Sequence, residues 1–414
     1  MKTQVTEAIA SLSSLFAQID QQTQKHLQRV LDAFREHKVG VHHFASVSGY
    51  GHNELGRDTL DRVFAEIVGA QRAAVRVQLV SGTHAIACCL FGILRPGDEL
   101  LSVTGTPYDT LQAVITRDRG CLTEFGIQYR ELPLTEENTI DWQALETAVK
   151  PETRMVFIQR SCGYSWRASL SVREIARIVA VVKQQNANTI CFVDNCYGEF
   201  VEDSEPTAVG ADLMAGSMIK NPGGTIAPTG GYIAGKAELV EMAATRLTAP
   251  GIGTEGGSSL FQNRLLFQGL FLAPQMVGSA LKCAHLAACV FSSMGYPVNP
   301  QPYVPRYDVI QAIKLGSPDK LLSFCRHLQK YSPVDSFVEP VPAVMPGYDC
   351  ELVMGGGTFI DGSTAELSAD APLRPPYILY LQGGTHWTHL AIVLENLDEA
   401  EFSLLGGDQV SQSF

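Results

Sequence analysis

Several things are missing from this chain, and each absence closes a door. No run of about eighteen uninterrupted apolar residues occurs, so no segment reads as a membrane-spanning helix. Clusters of Lys and Arg are absent and the formal net charge is −12, which argues against nucleic acid or an anionic membrane as partner. No C-x-x-C occurs among the ten cysteines, Cys88 and Cys89 are adjacent, and Cys191 and Cys196 are five apart, a spacing unlike a zinc site. Buried, reduced thiols acting as small hydrophobes are the expectation, and with them a cytoplasmic protein. The opening "MKTQVTEAIASLSSLFAQIDQQTQKHLQRVLDAF" has helical periodicity with polar breaks and lacks the continuous apolar core of a signal peptide. No G-x-x-x-x-G-K-[ST] occurs, and no G-x-G-x-x-G follows a strand.

What remains is an ordinary globular composition, 45% hydrophobic and 18% charged, over 414 residues, a length that suits two domains. Residues 1–45 read as a helical segment, 46–280 as a large domain and 281–414 as a smaller one. Short apolar runs, "RMVFIQR", "TICFVD" and "GGYIAG", alternate with helical patterns such as "SVREIARIVAVVKQQN". That helix opens on a capping box, Ser171 followed three residues later by Glu174. The alternation predicts an α/β fold with a doubly wound, mostly parallel sheet. Beyond about residue 280, a helix at "ALKCAHLAACVFSSM" leads into short strands with Gly and Pro turns. This texture predicts a smaller α+β domain with a mainly antiparallel sheet.

Lys220 is the only formally charged side chain between Asp212 and Lys236, in "GSMIKNPGGTIAPTG". A lysine without an acidic neighbour, held in low-dielectric surroundings, loses its proton readily and becomes a nucleophile. Asp194 ends the strand "TICFVD", where ligands gather in open α/β sheets, although a turn cap fits a lone Asp equally well. Ser81, Gly82 and Thr83 stand where a strand becomes a helix, a place that suits either an anion or a plain N-cap. Tyr108 lies in the turn "GTPYDT", and alone it suits packing. His42, His43 and His52 have no acidic partner at ligand spacing, so no metal is expected. Together, an anion turn, an aromatic turn, a strand-end Asp and a Gly-rich lysine loop match a cofactor with a phosphate, a flat ring, a ring nitrogen and an aldehyde. Pyridoxal phosphate has all four groups.

"GYGHNELGRDTLDRVFAEIVGA", "VRVQLVSGTHAI", "VFIQRSCGYSWRASL", "GSMIKNPGGTIAPTGGYIAG", "RLTAPGIGTEGG" and "LSADAPLRPPYILYLQGG" extend from about residue 45 to 385. In these segments the chain resembles the fold-type I pyridoxal-phosphate enzymes of cysteine and methionine metabolism. Within that group it is most similar to the methionine gamma-lyase-like branch, called aluminium-resistance proteins. The resemblance implies a carbon–sulfur lyase that performs β- or γ-elimination on a small sulfur amino acid, with Lys220 bonded to the cofactor aldehyde as a Schiff base. Asp194 would face the ring nitrogen and Tyr108 would stack on the ring and protonate the departing thiolate. Ser81, Gly82, Thr83 and Ser217 would hold the phosphate. Tyr50 resembles a tyrosine that reaches the phosphate from a neighbouring subunit of a homodimer or homotetramer. The arginine expected two residues beyond it is His52 here, with Arg57 as a substitute. Arg374 is the candidate for gripping the substrate carboxylate, and Cys162 replaces an arginine of the branch. Two other readings stay open at this point: a different reaction on the same scaffold, such as transamination or aldol cleavage, and a protein that binds the cofactor without turnover.

Overall fold

The computed structural model describes residues 1–398 and residue 402, and it contains two sheets. The larger is built from β1 (Arg72–Arg76), β2 (Glu99–Ser102), β3 (Gln128–Glu131), β4 (Thr153–Gln159), β5 (Ile190–Asp194), β6 (Leu213–Ser217) and β7 (Gly231–Gly235), in the order β1-β7-β6-β5-β4-β2-β3. From β3 through β6 every pairing is parallel, and β7 alone runs antiparallel to its two neighbours. Strands β4 to β7 are almost wholly buried, as expected of a sheet covered on both faces.

Local chemistry sets the helix ends. Helix α1 (Lys2–Glu36) is one continuous helix where the periodicity allowed one or two. Helix α2 (Leu55–Val68) stops at Gly69, whose φ of 68° only glycine adopts at low cost. Helix α3 (Gly82–Ile93) is capped by Ser81, whose hydroxyl accepts the His84 N–H at 3.0 Å. Helix α4 (Val172–Gln185) has both halves of the Ser171/Glu174 capping box. Helix α5 (Ala237–Leu247) returns along α3.

Helix α6 (Asn263–Ser293) spans 31 residues and runs unbroken through residue 280. It is long and apolar enough to cross a membrane by length and composition, yet 72% of its most apolar window is buried within the chain. α1 covers part of it: Gly278 admits the Thr23 side chain, and Lys282 Nζ reaches Asp20 at 2.5 Å. Its apolar character therefore belongs to the core.

The second sheet comprises β8 (Val298–Asn299), β9 (Gln311–Lys314), β10 (Ala343–Val344), β11 (Glu351–Gly355), β12 (Ser368–Pro372) and β13 (Ile378–Gln382). Its order is β10-β11-β12-β13-β9-β8, and all its pairings are antiparallel. Helices α7 (Pro318–Lys330) and α8 (Trp387–Glu395) complete this part. Phe402 closes its core against Phe291, Tyr296 and Phe324.

Candidate active site

Parallel strands deliver their carboxyl ends to one edge of the large sheet, and the loops there enclose a cleft of about 780 Å³, counted out to its open mouth. Seven sequence-predicted residues line it: Ser81, Gly82, Thr83, Tyr108, Asp194, Ser217 and Lys220. They come from the start of α3, from the last residues of β5 and β6, and from the loops that follow β2 and β6.

One wall is an anion cradle. The first turn of α3 leaves N–H groups without intrahelical partners, and its amino end carries partial positive charge. A Cβ on Gly82 would lie 2.9 Å from Cys196 Sγ and 3.4 Å from Ser217 Cβ, so only glycine lets these three segments converge. Thr83 Oγ1 lies 3.0 Å from the Tyr108 hydroxyl, while Gln159 Oε1 accepts the Tyr108 N–H at 3.0 Å and fixes that turn. Burial, with Asp194 nearby, pushes the Tyr108 phenol well above its ordinary range, so it stays protonated.

Opposite stands the charged group. Asp194 makes no ion pair among the described residues, and its Oδ1 accepts the Cys196 N–H at 3.1 Å. Burial raises its pKa, against the lowering effect of Lys220. Lys220 Nζ lies 3.8 Å above the centre of the Tyr197 ring. Burial alone would lower its pKa, but Cys196, Tyr197 and Asp194 outweigh it and hold the ammonium above the ordinary lysine range.

That finding corrects the sequence argument. Lys220 has no acid near it in sequence, but in space Asp194 and, from β12, Asp370 both act on it. Asp370 is buried and accepts hydrogen bonds from the Tyr164 hydroxyl at 2.8 Å and from Gln382 at 3.1 Å. The amine of Lys220 on its own is therefore an ammonium at neutral pH.

Two predicted residues lie outside the cleft. Tyr50 is 84% exposed on the loop before α2. Arg374 lines an adjoining cavity with Trp166 and Tyr380, and Tyr164 borders both spaces. Its guanidinium already faces Asp109, at 3.4 Å to each carboxylate oxygen. Arg57 does not substitute for an arginine at His52. It is 1% exposed, donates to the carbonyls of Gly51, Gly257 and Glu255, and pairs through Nε with the Asp58 carboxylate, so each nitrogen of its fork already has a partner within the chain. Cys162 faces away from the cleft: it packs with Ile310, Ala312 and Tyr380, and burial pushes its thiol up.

Sequence reasoning missed Gln159, Tyr164, Cys196, Tyr197 and Tyr348, which also line the cleft. Gln159 ends β4 as Asp194 ends β5, so the strand-end rule could have found it. Tyr348 comes from a distant loop and carries no local signal.

The residues fit pyridoxal phosphate on structural grounds: a glycine-lined helix start for the phosphate, a protonated phenol beside it, a buried carboxylate without a cationic side-chain partner, and an amine facing all three. Comparison with known proteins agrees. The family model for methionine gamma-lyase matches residues 1–401. The uncharacterized protein YnbB of Bacillus subtilis (strain 168) is 45% identical over 94% of both chains. A solved structure described as a carbon–sulfur lyase involved in aluminum resistance, from Clostridium novyi NT, superposes with a TM-score of 0.91 at 44% identity, covering 97% of this chain and 95% of that one. L-methionine gamma-lyase of Pseudomonas putida is 28% identical over 47% of this chain and 45% of its own length.

Proposed function

This chain belongs to the methionine gamma-lyase family, and on that premise we propose that it is a pyridoxal-phosphate-dependent carbon–sulfur lyase acting on a sulfur amino acid. One observation carries the proposal: one half-buried lysine shares its cleft with a strand-end carboxylate and a helix-start anion cradle. When bound, the cofactor supplies an electron sink that makes removal of the substrate α-proton feasible.

The chain's own residues do the rest. The first turn of α3 and the Ser217 hydroxyl bind the phosphate and set the depth of the ring. Asp194 would hold a proton on the ring nitrogen, and its burial would strengthen that contact and keep water from competing. Lys220 Nζ anchors the cofactor and, once freed by the substrate amine, takes the α-proton. Tyr108 Oη, kept protonated and oriented by Thr83, donates a proton to the departing sulfur. With one water consumed in hydrolysing the imine left by elimination, the products are a thiol, a 2-oxo acid and ammonia.

A second copy of the chain completes the site in this reading. The Tyr50 loop is tied to the segment around Ser258, through Tyr50 O to Gly257 N and Val47 O to Ser258 Oγ. Gln78 joins the same segment, and Val80, Leu260 and Phe261 are exposed around it. This apolar rim beside the anion cradle suits a homodimer, alone or paired into a tetramer, with Tyr50 reaching the partner's phosphate site.

The test is direct. Borohydride should bleach a visible band of the purified protein and leave the mass of the reduced cofactor on the Lys220 peptide. Lys220→Ala should fold, lose that mass and lose release of thiol and 2-oxo acid from methionine or cystathionine. A Lys220→Ala variant with full turnover would overturn the assignment. Turnover of threonine in place of sulfur amino acids would favour the aldolase alternative.

A further inference from the structure

Beneath Lys220 lies a buried acid for which the mechanism has no use. The turn after β5 folds back sharply, with Tyr197 at φ 72° and Phe200 at φ 62°, and brings Glu199 under β6. A Cβ on Gly216 would lie 2.7 Å from Glu199 Oε1 and 2.6 Å from the Tyr232 hydroxyl, so this glycine makes room for both. The Tyr232 hydroxyl donates to Glu199 Oε1 at 2.6 Å. Glu199 Oε2 is buried without a hydrogen-bond partner, and Glu199 makes no ion pair among the described residues.

Asn221 follows Lys220 directly and is 1% exposed. Its Nδ2 donates to the carbonyls of Tyr197 and Glu199, each at 3.0 Å. Both partners are acceptors, which fixes the amide orientation and leaves Asn221 Oδ1 as a second buried polar atom without a partner. One orphan is an acceptor, and the other becomes a donor as soon as it carries a proton. Ionised, Glu199 would be an unpaired charge in the interior, one of the costliest arrangements a protein can hold.

We propose that Glu199 is a neutral carboxylic acid whose packing under β6 sets the turn that Asn221 Nδ2 clasps through the carbonyls of Tyr197 and Glu199, so that it acts as a positioning residue for Lys220. Burial and the repulsion of Glu205 favour the neutral acid, and they outweigh the Tyr232 hydroxyl on β7, the backbone N–H of Glu199 and Lys220, which favour the charge. Burial raises its pKa to about 8. The Asn221 clamp then locks the Lys220 turn to the turn carrying Asp194, Cys196 and Tyr197, so the reactive amine and its counter-groups move as one unit. The positioning role rests on the reading of Lys220 as the reactive amine.

The test combines infrared and kinetic comparisons of E199Q, E199A and N221A with the wild type. At neutral pH the wild-type minus E199Q difference spectrum should show the carbonyl stretch of an un-ionised carboxylic acid, fading as pH passes about 8. E199Q, which keeps shape and neutrality, should rescue kcat to within about threefold of wild type. E199A and N221A should lose roughly tenfold to a hundredfold in kcat with little change in KM, the range expected of a misplaced reactive group. A difference spectrum without the acid band, or an E199Q as impaired as E199A, would overturn the inference. Because the infrared comparison needs no turnover, it decides the protonation state even in a chain inert toward sulfur amino acids.

Discussion

Gly269 sits in the second turn of α6 and does not line the cleft, yet its replacement by alanine should impair the chemistry. A Cβ there would lie 2.3 Å from the carbonyl oxygen of Gly223 and 2.9 Å from its carbon. Ordinary contact begins at 3.4 Å, so the backbones must separate by 3.4 − 2.3, or about 1.1 Å. Gly224 presses from the other side at φ 53°, its own Cβ position lying 2.2 Å from the Gly269 carbonyl, which leaves the turn no room to yield in place. The Gly223 N–H donates to the Lys220 carbonyl at 3.1 Å, so displacing Gly223 displaces the lysine. Overpacking costs about 1–3 kcal/mol, offset by about 1 kcal/mol of helix propensity, so stability should fall by only ~0–2 kcal/mol. A shift of ~1 Å at a reactive group costs about a hundredfold in rate, equivalent to ~2.7 kcal/mol at the transition state. The assay is 2-oxo acid release at saturating substrate, with urea unfolding of the same G269A preparation. Wild-type kcat in a G269A protein of undiminished stability would refute the claim that this backbone contact sets the position of Lys220.

Other consequences follow from the same geometry. Arg57→Ala should remove about 3 kcal/mol of stability, because it orphans the carbonyls of Gly51, Glu255 and Gly257, and should make residues 46–58 the first proteolytic cleavage site; an unchanged cleavage pattern would show that the loop holds without the arginine. Asp109→Asn should release Arg374 and lower KM several-fold, whereas Arg374→Gln should raise KM with little effect on kcat; two unchanged KM values would remove Arg374 from substrate binding. Glu199 gives a stability slope with a definite sign. Its folded pKa of about 8 lies above the unfolded value of 4.5, so the folded chain keeps a proton that the unfolded chain has lost. Wild-type stability should therefore fall relative to E199Q as pH rises from about 4.5 to about 8, by up to about 5 kcal/mol, read from urea midpoints across that range; parallel midpoints would mean that Glu199 ionises normally.

How much of this was visible in the sequence depended on distance along the chain. The capping box at Ser171, the stop at Gly69 and the N-cap at Ser81 are each settled by residues within one helical turn, and all three are present. Strands β4, β5 and β7 show as short apolar runs because both their faces are buried. β6 did not stand out: "LMAGS" ends in small residues, and Gly216 among them leaves room for Glu199 and Tyr232 from other elements. The start of α6 was also invisible, because its first half carries Gly269 to fit the Lys220 turn and lacks a clean amphipathic pattern. Arg57 illustrates the converse error: a charge near a candidate anion site suggests a ligand, but its guanidinium was already held by Asp58 and Gly51 nearby and by the carbonyls of Gly257 and Glu255 from about two hundred residues away.

The same principle explains Lys220. Its neighbours in sequence are uncharged, yet its neighbours in space include Asp194 at the end of β5, Glu199 five residues later and Asp370 on β12. An acid adjacent in sequence would form a flexible, solvent-adjusted pair with the lysine. Acids delivered by separate rigid elements are held at fixed positions, and each can be given its own protonation state by burial and hydrogen bonding. Asp194 accepts a backbone N–H and faces the cleft, Glu199 is matched to a tyrosine hydroxyl and lies behind the strand, and Asp370 is satisfied by Tyr164 and Gln382. The uncharged stretch around Lys220 thus leaves control of the amine to the tertiary structure, and a small shift of the Gly223–Gly269 contact should be felt as a change in chemistry before it is felt as a loss of fold.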